Sequence, residues 1–143
     1  MDRTVVLVED EHAVAHLYMV GLEARGFHVV LFDSGAALFG RLADLTPDVI
    51  VLDWMLPGLD GAHVLAALRR DARTDQVPIL VLSALSEPDR ERDWAIRAGV
   101  EAWLEKAHTP PRKLADKITE VLDTRSRRPP PRTWLLPGTP ADR

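Results

Sequence analysis

The chain predicts an α/β fold, a doubly wound parallel sheet of five strands with helices on both faces. Five short apolar runs alternate with five stretches of helical periodicity, the pattern of repeated β-α units. Two of the runs, Val49-Ile50-Val51-Leu52 and Ile79-Leu80-Val81-Leu82, contain no polar residue and read as strands buried on both faces. With 143 residues, 46% of them apolar, one core can form without disulfide or metal staples.

The first strand, β1, is predicted over Thr4–Val8, ending in Glu9-Asp10-Glu11. A helix, α1, follows with Val14, Leu17, Tyr18 and Gly21 at helical spacing, and Gly26 is placed as its C-terminal cap. Strand β2 spans His28–Phe32, and Asp33-Ser34 offers N-caps for a short α2 through Leu42. Thr46-Pro47-Asp48 turns the chain into β3, which ends at Asp53. Gly61 opens α3, with Val64, Leu65 and Leu68 on its inner face. Val77-Pro78 introduces β4, ending at Ser83, and α4 runs from about Pro88 to Ala98-Gly99. Ala102-Trp103-Leu104 is a short β5 with Lys106 just beyond it. Pro110-Pro111 starts α5, which carries Leu114, Ile118, Val121 and Leu122. The composition then shifts to Arg and Pro, so residues 1–123 read as the domain and 124–143 as an extended linker or tail.

Composition narrows the function. Without cysteine there is no thiol catalysis, disulfide or Cys-based zinc site. Only four apolar residues, Val5–Val8, precede Glu9, so neither a signal peptide nor a membrane span is expected, and a cytoplasmic address follows. From Arg125 onward five arginines face one aspartate, which leaves the body acidic and argues against direct nucleic-acid binding by the domain.

Chemistry gathers at the strand ends. Strand β1 delivers Glu9 and Asp10, β3 Asp53, β4 Ser83 and β5 Lys106, all on the edge where ligands collect in an open α/β sheet. Three converging carboxylates repel one another and call for a cation. Hard oxygen ligands suit Mg²⁺, and Asp53 beside it can act as a nucleophile giving an aspartyl phosphate. Lys106 and Ser83 would then donate to phosphoryl oxygens. Taken singly, each of these residues is an ordinary turn or surface group; their joint placement carries the reading.

The chain resembles the receiver domain of two-component response regulators, from about Arg3 to Leu122. The resemblance rests on Val8-Glu9-Asp10-Glu11, Leu52-Asp53-Trp54-Met55-Leu56-Pro57-Gly58-Leu59-Asp60-Gly61, Ser83-Ala84, and Ala98-Gly99-Val100-Glu101-Ala102-Trp103-Leu104-Glu105-Lys106. It implies a flavodoxin-like sheet of order 2-1-3-4-5. It also implies that Asp53 accepts a phosphoryl group from a sensor histidine kinase or phosphotransfer protein. Glu9, Asp10, Asp53 and the backbone carbonyl of Met55 would hold Mg²⁺, with Ser83 and Lys106 on the phosphoryl group. The domain would be no enzyme beyond its own phosphorylation and dephosphorylation. Its α4-β5-α5 surface would be the output, a possible homodimer face.

Two positions depart from the family pattern. Trp103 stands where the family usually has a switching Tyr or Phe; it is either the switch or a packed indole. Its size argues for an outer-face position as an aromatic anchor for partners. Ala107 follows the lysine where the family usually has a cis proline, and a non-proline cis bond costs about 3 kcal/mol. His12 and His16, at i and i+4, lack a third metal ligand; of Trp94 and Ile96, at least one is expected to be exposed.

Two other functions fit less well. A phosphohydrolase of the haloacid dehalogenase type needs a second aspartate two residues after the nucleophile, where Met55 stands. The chain could also be the receiver of a DNA-binding transcription factor, the output module lying elsewhere, since about 20 residues after α5 are too few for one.

Overall fold

In the computed structural model, residues 3–85 and 89–127 are described. Strand β3 (Val49–Asp53), apolar up to its last residue, takes the centre of the sheet, flanked by β1 (Thr4–Val8) and β4 (Ile79–Ser83). The edges are β2 (His28–Phe32) and β5 (Ala102–Glu105), giving the order β2-β1-β3-β4-β5, parallel throughout. Both β3 and β4 are buried along their whole length, as their apolar runs require, and the burial extends to the polar residues that end them, Asp53 and Ser83.

Side-chain alternation sorts the core into two layers. Val5, Leu7, Val49, Val51, Leu80 and Leu82 face α1 (His12–Glu23) and α5 (Pro111–Arg127). Val6, Val8, Ile50, Leu52, Ile79 and Val81 face α2 (Gly35–Arg41), α3 (Gly61–Arg70) and α4 (Asp89–Arg97). Register aligns the strand ends: Val8 lies opposite Leu52, Asp53 opposite Leu82, and Ser83 opposite Glu105. The connections reverse direction between β1 and β3, so a crevice opens at their C-terminal ends.

Local chemistry ends the helices where the sequence predicts. Ser34 caps α2 by accepting from the Ala37 N–H at 3.1 Å, and Asp60 caps α3 by accepting from the His63 N–H at 3.0 Å. Gly26 and Gly99 take the left-handed conformation past α1 and α4, with φ of 89° and 85°.

Three expectations need correction. Leu17 does not face the core: α1 buries Ala15, Tyr18 and Leu22, while Leu17 is 59% exposed. The helix is only weakly amphipathic, so spacing alone admitted either face. Helix α5 continues to Arg127, past the compositional boundary at Thr124. Arg125 holds that last turn to the body, its Nε 2.5 Å from Glu101 Oε1 and its Nη1 donating to the Gln76 carbonyl at 2.7 Å. The rest of the tail, including Trp134-Leu135-Leu136, lies outside the described residues, as does Pro88 before α4. The third correction, Trp103, belongs with the site. Trp94 is fully buried and Ile96 exposed, so one of that pair does face solvent.

One buried cation braces the α2-α3-α4 layer. Arg69 donates to the carbonyls of Ala98 and Gly99 at the end of α4 and to those of Asp75 and Val77 before β4. These carbonyls have no further turn of helix to satisfy them. Arg69→Met should therefore destabilise the domain by about 3 kcal/mol in urea unfolding, with Arg69→Lys intermediate.

Candidate phosphoacceptor and metal site

The crevice between β1 and β3 collects Glu9, Asp10 and Asp53. Each offers a carboxylate oxygen within 4.8 Å of the others, the only such group of three among the described residues. Glu9 and Asp53 are each 2% exposed, whereas Asp10 sits at the more open lip. Backbone geometry fixes the buried pair. The Glu9 N–H donates to the Phe32 carbonyl, and Trp54, next to Asp53, donates to the Leu82 carbonyl, both at 2.9 Å. The Met55 N–H donates to Asp53 Oδ1 at 3.1 Å.

Lys106 provides the positive charge. Its Nζ lies 3.0 Å from Asp53 Oδ2 and 2.5 Å from Glu9 Oε1, so one ammonium spans two buried carboxylates. The contact to Glu9 is ionic rather than an aligned hydrogen bond. Ser83 is fully buried one strand away, and its Oγ accepts from the Leu85 N–H at 3.0 Å. The sequence-predicted residues Glu9, Asp10, Asp53, Ser83 and Lys106 thus stand on neighbouring strand ends, with Met55 on the loop that follows Asp53.

Charge is unevenly shared. Burial, together with Glu9 beside it, pushes the Asp53 carboxyl up to about 7 despite Lys106. Burial also works against ionisation of Glu9, but its close pairing with the Lys106 ammonium and with Asp53 outweighs it and holds Glu9 below its usual range. The Lys106 ammonium, although desolvated, is held above its usual value by the same two carboxylates. Two negative charges and one positive are more than this cavity accommodates, which is the electrostatic condition for a divalent cation. The donors fit Mg²⁺: they are all hard oxygens, and Asp10 leaves one side open to water and ligand.

A tryptophan cluster lies behind the site. Trp54, 3% exposed, packs edge-on against Trp103 at 4.9 Å and tilted against Trp94 at 6.3 Å. Its Nε1 donates to Glu91 Oε2 on α4 at 2.9 Å. Gly61 keeps room for it, since a Cβ there would stand 2.7 Å from the Trp54 backbone and ring. The expected outer-face position of Trp103 is not what forms. Ala102 and Leu104 point to the α1-α5 layer, so alternation sends residue 103 into the α2-α3-α4 layer beside Trp54. There it is half-buried, its Nε1 shielded and without a hydrogen-bond partner among the described residues. The sequence carries no signal for the Trp54–Glu91 bond, which joins residues 37 apart. The Lys106-Ala107 peptide is trans. His12 and His16 line a groove of about 520 Å³ with Glu9 and Asp33 but form no three-ligand group.

The Asp53 shift has a stability consequence. A carboxyl raised from 3.8 toward 7 in the folded protein binds a proton there that the unfolded chain has released, so metal-free stability falls as pH rises between those values. Asp53→Asn should stabilise the metal-free protein by about 1–2 kcal/mol at pH 8. In denaturant melts the advantage should shrink toward pH 4.

Comparison with known proteins agrees with this geometry. The family model for the response regulator receiver domain matches residues 5–119. The phosphate regulon transcriptional regulatory protein PhoB of Pseudomonas aeruginosa is 31% identical over 120 residues, covering 84% of this chain and 52% of that protein. PhoB of Rhizobium meliloti is 35% identical over 111 residues, covering 78% and 48%. The chain thus spans about half the length of the curated relatives it matches. A putative response regulator from Chloroflexus aurantiacus superposes with a TM-score of 0.78 at 26% identity, covering 86% of this chain and 99% of that one. A CheY-like receiver domain protein from Methanospirillum hungatei shares the fold, with a TM-score of 0.80 at 19% identity over 89% of this chain and 98% of its own. Family match, sheet order and the acidic crevice together place this chain in the receiver domain family of two-component response regulators.

Proposed function

We propose that Asp53 accepts a phosphoryl group from a sensor histidine kinase or phosphotransfer protein, and that the modified domain signals through its α4-β5-α5 face. The observation that carries this is the buried Asp53 carboxylate, bracketed by the Lys106 ammonium at 3.0 Å and by the carboxylates of Glu9 and Asp10. Glu9, Asp10, Asp53 and the Met55 carbonyl would hold Mg²⁺. Bound there, the ion would offset the clustered negative charge and that of the incoming phosphoryl oxygens.

This chain's own groups divide the remaining work. An Asp53 carboxylate oxygen forms a bond to phosphorus as the P–N bond of the donor's phosphohistidine breaks, and the nitrogen keeps the electron pair. Lys106 turns its ammonium from the carboxylates to a phosphoryl oxygen, and Ser83, whose oxygen already accepts from Leu85, retains its proton to donate to another. The aspartyl phosphate is later lost to water, so the domain modifies only itself.

Two observations support the choice of output face. Trp54, the residue after Asp53, touches Trp94 and Glu91 of α4 and Trp103 of β5, a physical path from the acceptor to that surface. Ile96 of α4 is exposed there, as a self-association or partner contact requires. The receiver unit would extend through α5 to Arg127, with the residues after it the link to whatever it controls. The match covers only about half of each relative named as a transcriptional regulatory protein, which favours a DNA-binding regulator as the whole protein.

Incubation with acetyl phosphate and Mg²⁺ should add one phosphoryl mass, absent in Asp53→Asn; undiminished labelling of that variant would overturn the assignment. Mg²⁺ should change tryptophan emission through Trp54, and Asp10→Ala should weaken that response about 10-fold or more in Mg²⁺ concentration. Sedimentation with and without beryllofluoride should differ if α4-β5-α5 is the output face.

A further inference from the structure

The placement of Lys106 is the weak point of the site's construction. Strand β5 is an edge, paired with β4 alone, and its four residues are all only half-buried. Beyond it Lys106–His108 form a single 3-10 turn with no ladder on either side. Residue 107 is alanine, whose φ no ring restricts. Yet from this turn the Lys106 ammonium must reach two buried carboxylates.

The turn is closed by Thr109. This residue is 3% exposed, and each of its polar groups is engaged. Its N–H donates to the Lys106 carbonyl at 3.2 Å, and its hydroxyl donates to the Glu105 carbonyl at 2.7 Å. Its own carbonyl accepts from the Tyr18 hydroxyl at 2.7 Å, a buried bond from α1 across 91 residues. Among the described residues no backbone amide donates to that carbonyl: Pro110 and Pro111 have no N–H, and the amides of Lys113 and Leu114 donate to the Pro110 carbonyl. Tyr18 is the chain's one tyrosine and is 5% exposed. One turn further along α1, Gly21 admits Pro111 so closely that a Cβ there would collide with the proline ring. Tyr18 and Gly21 therefore seat the entry of α5, and with it the end of the lysine turn. Burial raises the Tyr18 phenol, whose surroundings include the charges of Lys106, Glu9 and Asp53.

We propose that Tyr18 and Thr109 are positioning residues for phosphoryl acceptance: by closing the turn after β5 they hold the Lys106 ammonium where it meets Asp53 and the incoming phosphoryl group. This rests on the phosphoacceptor reading above. It assigns them no contact with the phosphoryl group itself.

The test separates positioning from mere packing. Tyr18→Phe removes one hydroxyl and keeps the ring; Thr109→Val removes the hydroxyl and keeps the shape. Each is measured in the full chain, alone and in a Lys106→Ala background. The readouts are the initial rate of acetyl-phosphate labelling, the Mg²⁺ midpoint from tryptophan emission, and the thermal midpoint. Labelling in Tyr18→Phe and Thr109→Val should fall about 10-fold, as a displaced catalytic group predicts, while the Mg²⁺ midpoint stays within about twofold. Thr109→Ser should restore the rate. In the Lys106→Ala background neither change should slow labelling further, since the group they position is gone. Labelling that is unchanged in the single variants, or lowered equally with and without Lys106, overturns the proposal. If Tyr18→Phe does not fold, the Thr109 pair decides alone. Failure of wild-type labelling, or its persistence in Asp53→Asn, would instead sink the phosphoacceptor reading beneath it.

Discussion

An ionised carboxylate at the end of a strand buried on both faces is costly, and the rest of this site answers that cost. The central strand of a doubly wound sheet must be apolar to be covered by helices, so Asp53 emerges from Val49–Leu52 into a region with little water. Glu9 arrives from the adjacent strand in the same position along the edge and worsens the repulsion. A single lysine reaches in from the sheet's far edge to offset both. The cluster is thus left short of positive charge, and the domain is poised to gain stability from a cation. Under the proposed function, that same shortage would make the oxygen of Asp53 available to a phosphoryl donor once a cation is bound.

Neighbouring features follow from holding this arrangement open to solvent on one side only. Asp10 stands at the lip, where a cleft of about 700 Å³ also touches Trp54, Met55 and Leu85. Trp54 closes the floor and is joined to α4 through Trp94 and Glu91 and to β5 through Trp103. The indole N–H of Trp103 is shielded and has no hydrogen-bond partner among the described residues.

Much of this was legible in the sequence because it depends on short-range chemistry. Runs without polar residues marked β3 and β4, glycines marked the ends of α1 and α4, and the strand-end residues converged because parallel strands place equivalent ends on one edge. What stayed hidden depends on distant partners. Leu17 shares the helical spacing of Val14 and Tyr18, and α1 has no sharp apolar stripe to decide which of them turns inward. Arg125 was assigned to the tail because its Glu101 partner lies 24 residues away. Trp103 was expected outside on grounds of size; the pleat and the space beside Trp54 decided otherwise. The Tyr18–Thr109 bond, spanning 91 residues, left no local trace at all.

In the metal-free site the Asp53 carboxyl is pushed up to about 7 because its buried cavity holds more negative charge than Lys106 offsets. Calorimetric titration with Mg²⁺ at pH 7 in buffers of different ionisation enthalpy counts the protons released on binding. With the Asp53 carboxyl near 7, the release should be about half a proton at pH 7 and should fall toward zero at pH 9. Asp53→Asn should abolish it. A binding enthalpy independent of buffer at pH 7 would show the carboxyl to be ionised before the cation arrives, and would contradict the account.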